Sequence, residues 1–334
     1  MQDALLLSRL DLEEVLDFPS VLDVLEQSFR AESRGEWDTP KRIAAHTRAG
    51  GLLAMPCGGG SPEALGAKLV STFPGNAALA QPSVSGLYAL FDPATGVPLS
   101  VMDGGYLTLV RTAAVSALAT RLLSRPDAKT LGLLGAGAQA SFHARLIATV
   151  RPIEAVTVWA RRPERAEALV ASLRARADLR RVSSWKVAAG PEEASACDVV
   201  VTATSSVEPV LLGRWLREGA HVNPIGAHTR RSREIDTEAV VRASVLAVET
   251  ADTLLEAGDF QMAEAEAGGV ADRVVTLGSL AASAAPASAR RGPRAITIFK
   301  SCGVAFEDLA VASLAFSRAL AAGLGARFGF AGPP

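Results

Sequence analysis

Apolar positions along this chain of 334 residues follow two rhythms, one of four and one of two. After a short apolar run at Leu5 to Leu7, Pro19 pre-sets a first helical turn, and Val21, Leu25 and Phe29 recur every four residues on one face. That spacing predicts a helix packed on a sheet. From Lys41 to Asp103 the pattern shortens to β-like runs at Arg42 to His46, Leu52 to Met55, Ala67 to Thr72, Ser85 to Phe91 and Pro98 to Met102. Turn residues separate them, and Asp92-Pro93-Ala94-Thr95-Gly96 reads as a hairpin turn.

A long apolar helix, Leu107 to Leu123, then leads into alternating strands and helices. Strands are expected at 130–134, 155–160, 198–202, 220–225 and 244–248, with helices at 139–150 and 163–176. Alternation of this kind implies a parallel sheet with helices on both faces. Ser279 to Arg294, rich in Ala, Ser, Pro and Arg, is expected to be a mobile surface loop before a strand at Ala295 to Phe299. A last helix is expected at Glu307 to Leu324. The length suits two domains, each with its own core.

Composition narrows the classes. With 49% apolar and 21% charged residues and a formal net charge of -1, the chain is expected to fold and to attract neither nucleic acid nor an anionic membrane. Cys57, Cys197 and Cys302 lie far apart without ligand spacing and read as reduced packing residues, and no spacing among the four histidines suggests a metal. His46, His143 and His221 read as structural or surface groups. The N-terminal stretch MQDALLLSRLDLEEVLD has no basic leader and no cleavage site, and no later segment offers about 18 unbroken apolar residues. A cytoplasmic location is expected.

The clearest chemistry follows the strand Leu131 to Leu134. Gly135, Gly137 and Ala140 form a GxGxxA fingerprint between that strand and a helix, the context in which the first glycine makes the turn and the second leaves room for a pyrophosphate. The helix N-terminus offers amides to phosphate, and Gln139 is a candidate cap. At the end of the next strand, where an acidic residue would hold a ribose hydroxyl, the chain reads Trp159-Ala160-Arg161-Arg162. Guanidinium forks suit a 2′-phosphate, so NADPH is expected, with NADH weaker. The alternative for Arg161 and Arg162 is a solvated helix start.

Several separated motifs, in order, resemble the ornithine cyclodeaminase and mu-crystallin family, most of all its ketimine (Δ1-pyrroline-2-carboxylate) reductases. They are Lys41-Arg42, Gly66-Ala67-Lys68-Leu69-Val70, Phe73-Pro74-Gly75-Asn76, Leu107-Thr108-Leu109-Val110-Arg111-Thr112, Gly135-Ala136-Gly137-Ala138-Gln139, Thr202-Ala203-Thr204-Ser205, Asn223-Pro224-Ile225-Gly226-Ala227 and Phe299-Lys300-Ser301-Cys302-Gly303-Val304. The resemblance implies an α/β fold: a Rossmann-type doubly wound parallel sheet at 113–305, plus an α+β substrate-binding and dimerisation domain at 1–112 to which 306–334 returns. It implies a homodimer.

By the same resemblance, Arg42, Lys68 and Arg111 bind a substrate carboxylate and Ser83 lines the pocket; Lys68 is a catalytic candidate, and so, through a departure from the family, is His228. Cofactor contacts are implied for Thr112, Gly135, Gly137, Ala138, Gln139, Thr202, Thr204, Ser205 and Val304, beside Arg161 and Arg162. The residues agree, since Lys68 opens an apolar strand and Arg111 interrupts an Ala-rich helix, and buried cations need an anion. Taken singly, each cation has the alternative of a surface charge or an internal ion pair.

One departure redirects the chemistry. Cyclodeaminases of the family carry a catalytic aspartate just after the Gly-Ala step, and here His228 stands there. Imine reduction becomes the better expectation, with an imidazole able to carry a proton near neutrality; a wall residue that excludes larger substrates is the equal alternative. The expected reaction is NADPH-dependent reduction of a cyclic ketimine acid, Δ1-pyrroline-2-carboxylate or Δ1-piperideine-2-carboxylate, to L-proline or L-pipecolate. Reductive amination of a 2-keto acid comes next, then ornithine cyclodeaminase, then binding without turnover.

Overall fold

The computed structural model describes residues 3–79, 81–285 and 289–330. The chain divides into two compact units, Met1–Arg111 with Val304–Pro334, and Thr112–Gly303; the division falls inside the helix Gly104–Leu123.

The first unit is built on an eight-stranded sheet in the order Ala326–Phe328, Ala4–Leu7, Pro98–Asp103, Val84–Phe91, Ala64–Thr72, Gly51–Gly59 and Trp37–Asp38, with Ile43–His46 also paired on Gly51–Gly59. Its ladders are antiparallel except where Ala4–Leu7 runs parallel to Pro98–Asp103. Residues alternate between its faces, so the register Met55–Lys68–Tyr88–Met102 puts those four in one row. The helix Ala305–Ala322 packs on the central strands of this sheet. Beside it lies Phe18–Glu32, started by Asp17, whose carboxylate accepts the Ser20 amide at 2.9 Å. Phe29 meets Phe306 edge-on at 5.0 Å, and Phe306 stacks on Trp37. A short helix at Arg9–Val15, held by a capping box between Ser8 and Asp11, was hidden to the four-residue rhythm by its brevity. The Asp92 turn forms as expected, its carboxylate accepting the amides of Ala94 and Thr95.

The second unit holds an eight-stranded, wholly parallel sheet. Its order is Ser184–Val187, Ala155–Trp159, Thr130–Leu134, Val199–Thr202, His221–Pro224, Ile296–Lys300, Ala243–Val248 and Val274–Thr276. Apolar cores lie on both faces: Val199 and Val201 join Ala140, Ile147 and Leu169 on one side, while Val200 joins Ala239, Val240 and Phe260 on the other. The edge strands Ser184–Val187 and Val274–Thr276 escaped the sequence pattern because both are short and half-exposed.

The expected mobile loop at 279–294 is corrected in part. Ser279 lies in the helix Leu277–Ala282, and Arg290 is buried, donating to the carbonyls of Leu123, Gly219 and Ala295 at 2.6–2.8 Å. A guanidinium that satisfies orphan carbonyls at a helix end anchors the segment. Residues 286–288 of it lie outside the described residues, as do 331–334.

Candidate active site

In the second unit the strand Thr130–Leu134 ends at Gly135, whose φ of +115° and closeness to the Ala203 carbonyl, 2.4 Å from where a Cβ would stand, admit only glycine. Gly137 is the N-cap of the helix Ala138–Val150 and makes no side-chain cap, and a Cβ there would meet nothing within 4 Å. The first amides of a thirteen-residue helix therefore open on free space next to a residue without a side chain. These residues fit a dinucleotide pyrophosphate. Gln139 does not cap the helix, correcting that expectation: the cap position is Gly137, and Gln139 lies two residues inside. Ala140 is fully buried against the sheet. Arg161 and Arg162 follow the strand Ala155–Trp159 and are exposed, and Arg162 approaches Glu164 only at 4.0 Å.

The other loops at the carboxyl ends of these parallel strands are organised by acids that the sequence did not single out. Buried Glu234 accepts the hydroxyls of Thr202 at 2.8 Å and Thr204 at 2.7 Å, and the amides of Thr204 at 2.7 Å and Gly226 at 2.6 Å. The threonine hydroxyls are thus turned inward, leaving Ser205 exposed beside them. Asp259 accepts the amides of Glu234 and Ile235 and pairs with Lys300, which also donates to the carbonyls of Pro224 and Ala227. Glu249 accepts from Ser301, Cys302, Gly303 and Thr253. A carboxylate that only accepts, from amides and hydroxyls, ties loops together. Glu249 directly follows the apolar strand Ala243–Val248, and an acid in that place is the signal that marks such a brace. His228 sits exposed on the turn so held, its Nδ1 at 3.2 Å from the Gly226 carbonyl. Thr112, the first residue of this unit, is buried.

In the first unit, Lys68 and Arg111 are buried together. Lys68 Nζ donates to Asp308 Oδ2 at 2.6 Å; Arg111 donates through Nε to Asp308 Oδ1 at 3.1 Å and through Nη1 to Glu307 Oε2 at 2.8 Å. The internal ion pair is thus realised for both cations, and the anion inferred from their burial is present within the chain. Burial first, then Arg111, pushes the Lys68 ammonium down to about 8, with Asp308 and Glu307 opposing. Arg42 is half-buried just ahead of the strand Ile43–His46. Ser83 is half-buried just ahead of Val84–Phe91, its carbonyl accepting the Phe73 amide at 2.8 Å. Val304 is the N-cap of Ala305–Ala322 and offers no side-chain cap.

His143 and His221 are fully buried, with burial pushing them down to about 4 and about 3. His143 spans Gln139 O and Ser116 Oγ, and His221 spans Thr297 and Asn223, whereas His46 is exposed. Cys57 and Cys197 are buried and Cys302 half-buried, and none of the three is in a disulfide. Among the described residues no group of three His, Cys, Asp or Glu side chains is placed to hold a metal ion, and no helix is long and apolar enough to cross a membrane.

Known proteins are similar to this chain along most of its length. The ketimine reductase mu-crystallin of Mus musculus is 37% identical over 275 residues, 82% of each chain. The alanine dehydrogenase of Archaeoglobus fulgidus is 31% identical over 98% of this chain and 99% of its own. The structure of the Thermococcus litoralis Δ1-pyrroline-2-carboxylate reductase in complex with NADH and L-proline matches with a TM-score of 0.90 at 34% identity, over 96% of this chain and 99% of that one. The model of the ornithine cyclodeaminase/mu-crystallin family matches residues 2–323, and with the glycine cradle and the paired buried cations in place the chain belongs to that family.

Proposed function

We propose that the protein is a cytoplasmic, NADPH-dependent reductase of a small cyclic ketimine carboxylate, Δ1-pyrroline-2-carboxylate or Δ1-piperideine-2-carboxylate, yielding L-proline or L-pipecolate. The observation that carries this reading is Lys68, buried beside Arg111 with one of its three donors on Asp308 and the others uncommitted among the described residues. Such a group binds a carboxylate without a further desolvation cost of its own.

Lys68, Arg111 and Arg42 hold the carboxylate and so fix the ring, a contribution of orientation. Bound NADPH supplies the hydride. The imine nitrogen must carry a proton for its carbon to accept that hydride, and His228 keeps the iminium protonated from the turn that Glu234 and Lys300 hold. A histidine where cyclodeaminases have aspartate supports reduction over oxidative loss of an amine. Gly135, Gly137, Ala138 and the first turn of the helix bind the pyrophosphate, and Arg161 and Arg162 the 2′-phosphate. Thr112, Gln139, Thr202, Thr204, Ser205 and Val304 complete the cofactor contacts, and Ser83 the substrate pocket. The NADPH preference rests on the two arginines alone, and the cytoplasmic location on three scattered cysteines that form no disulfide.

A homodimer is part of the proposal. The sheet of the first unit exposes Ile43, Leu52, Leu65 and Leu87, an apolar patch of the kind that pairs copies. The archaeal solved alanine dehydrogenase, 31% identical, is a dimer with bound NAD. Reductive amination of a 2-keto acid is the second reading, favoured by near full-length similarity to the Archaeoglobus alanine dehydrogenase.

Product analysis tests the reading. Incubation with NADPH and the cyclic imine should give L-proline, one for each NADPH consumed. Alanine from pyruvate and ammonia, with no proline, would favour the second reading, and proline with ammonia from ornithine would overturn both.

A further inference from the structure

Asp308 touches both buried cations of the first unit. Its two oxygens divide between Lys68 Nζ at 2.6 Å and Arg111 Nε at 3.1 Å, while Glu307 takes Arg111 Nη1 at 2.8 Å. All four side chains are buried, with Asp308 and Glu307 at 0% exposure. Two like charges so enclosed repel, and a carboxylate that bridges them fixes their separation as well as offsetting the repulsion. We propose that Asp308 is the positioning residue of the carboxylate clamp, setting Lys68 and Arg111 side by side so that a single ligand carboxylate meets both. This rests on the reading of Lys68 and Arg111 as substrate ligands.

The groups facing Lys68 decide its charge. They are Asp308 and Glu307 from the helix Ala305–Ala322, Arg111 from Gly104–Leu123, Tyr88 opposite it in the sheet ladder, and Cys57 on the next strand. Tyr88 is wholly buried and its hydroxyl has no hydrogen-bond partner among the described residues, while Cys57 is pushed up to about 11 by burial, so neither supplies a counter-charge. Lys68 already lies at about 8, through burial and Arg111 against Asp308. Without the Asp308 charge the ammonium would lose its proton at lower pH, and with it the attraction for a carboxylate.

The test compares the full-length wild type with Asp308→Asn, Asp308→Glu and Glu307→Gln. Two readouts are taken: the pH profile of the imine KM, and the Lys68 titration followed by NMR in protein with labelled lysine and no substrate. In the wild type KM should rise as pH passes about 8. In Asp308→Asn that rise and the NMR midpoint should both move to lower pH, with KM near neutrality about tenfold higher, as for one lost charge-assisted bond. Asp308→Glu should restore part of the shift, and Glu307→Gln should move the midpoint less. Unmoved midpoints, or a uniform fall in kcat at every pH, would overturn the proposal. If no imine or keto acid turns over in the wild type, the functional reading fails, and the NMR midpoint still decides whether Asp308 governs Lys68. If Asp308→Asn does not fold, the same midpoint in Asp308→Glu and Glu307→Gln decides it: no movement in either would overturn the proposal.

Discussion

Lys300 Nζ lies 2.8 Å from Asp259 Oδ2, with both side chains fully buried and the approach off the axis of a directed hydrogen bond. Burial opposes the lysine charge, but Asp259, with Cys302 and Glu234, outweighs it and holds the ammonium above its ordinary value. The pair fixes the turn that carries His228, because Lys300 also donates to the carbonyls of Pro224 and Ala227.

Breaking this pair from one side should therefore be costly. Asp259→Asn or Lys300→Met should each lower unfolding free energy by about 3–5 kcal/mol, since each leaves one buried charge alone. The double variant Asp259→Asn with Lys300→Met should lose less than the sum. Urea denaturation checks this, and strictly additive losses would count against a coupled pair.

The two glycines of the cradle should fail in different ways. Gly137→Ala places a methyl group in open space, so thermal stability should hold while NADPH affinity falls at least about tenfold through lost pyrophosphate contact. Gly135→Ala forces a Cβ against the Ala203 carbonyl at positive φ and should lower stability by about 1–3 kcal/mol. Calorimetric cofactor titration beside a thermal melt separates the two, and equal loss of stability in both would refute the assignment.

Removing the exposed guanidinium groups should alter cofactor choice without touching the fold. Arg161→Ser with Arg162→Ser should raise the KM for NADPH by about tenfold or more and leave that for NADH nearly unchanged, as expected when a 2′-phosphate loses its partners. Equal effects on both cofactors would leave the arginines as solvated helix-start charges.

Acid should weaken the fold through His143 and His221. Both are held below the ordinary value of 6.5, His143 at about 4 and His221 at about 3, chiefly by burial. Below pH 6.5 the unfolded chain takes up protons that the folded one refuses, so stability falls with pH down to about 4 for His143 and about 3 for His221. The slope is about 1.4 kcal/mol per pH unit for each histidine. His143→Gln should flatten it between pH 6.5 and 4, checked by denaturation at a series of pH values.

Strands and helices with a clear two- or four-residue rhythm are legible in the sequence, as is the glycine turn, because both are local. Thr130–Leu134 and Ala138–Val150 are examples. The acids are not. Glu234, Asp259, Glu307 and Asp308 carry no local pattern that marks them as buried, and only tertiary structure brings Asp308 to Lys68 across 240 residues of chain. Buried Lys68 and Arg111 need an anion, and the chain supplies Asp308 and Glu307. Gln139 misled because a polar residue near a helix start resembles a cap, whereas the cap position had already gone to Gly137.

The most direct test of the proposed reaction is the initial rate of NADPH oxidation, followed by its near-ultraviolet absorbance, with Δ1-pyrroline-2-carboxylate, with pyruvate plus ammonia, and with each repeated using NADH. The account predicts rapid oxidation with the cyclic imine and NADPH, and slower rates in every other pairing. Oxidation only with pyruvate and ammonia, or none with any substrate, would contradict it.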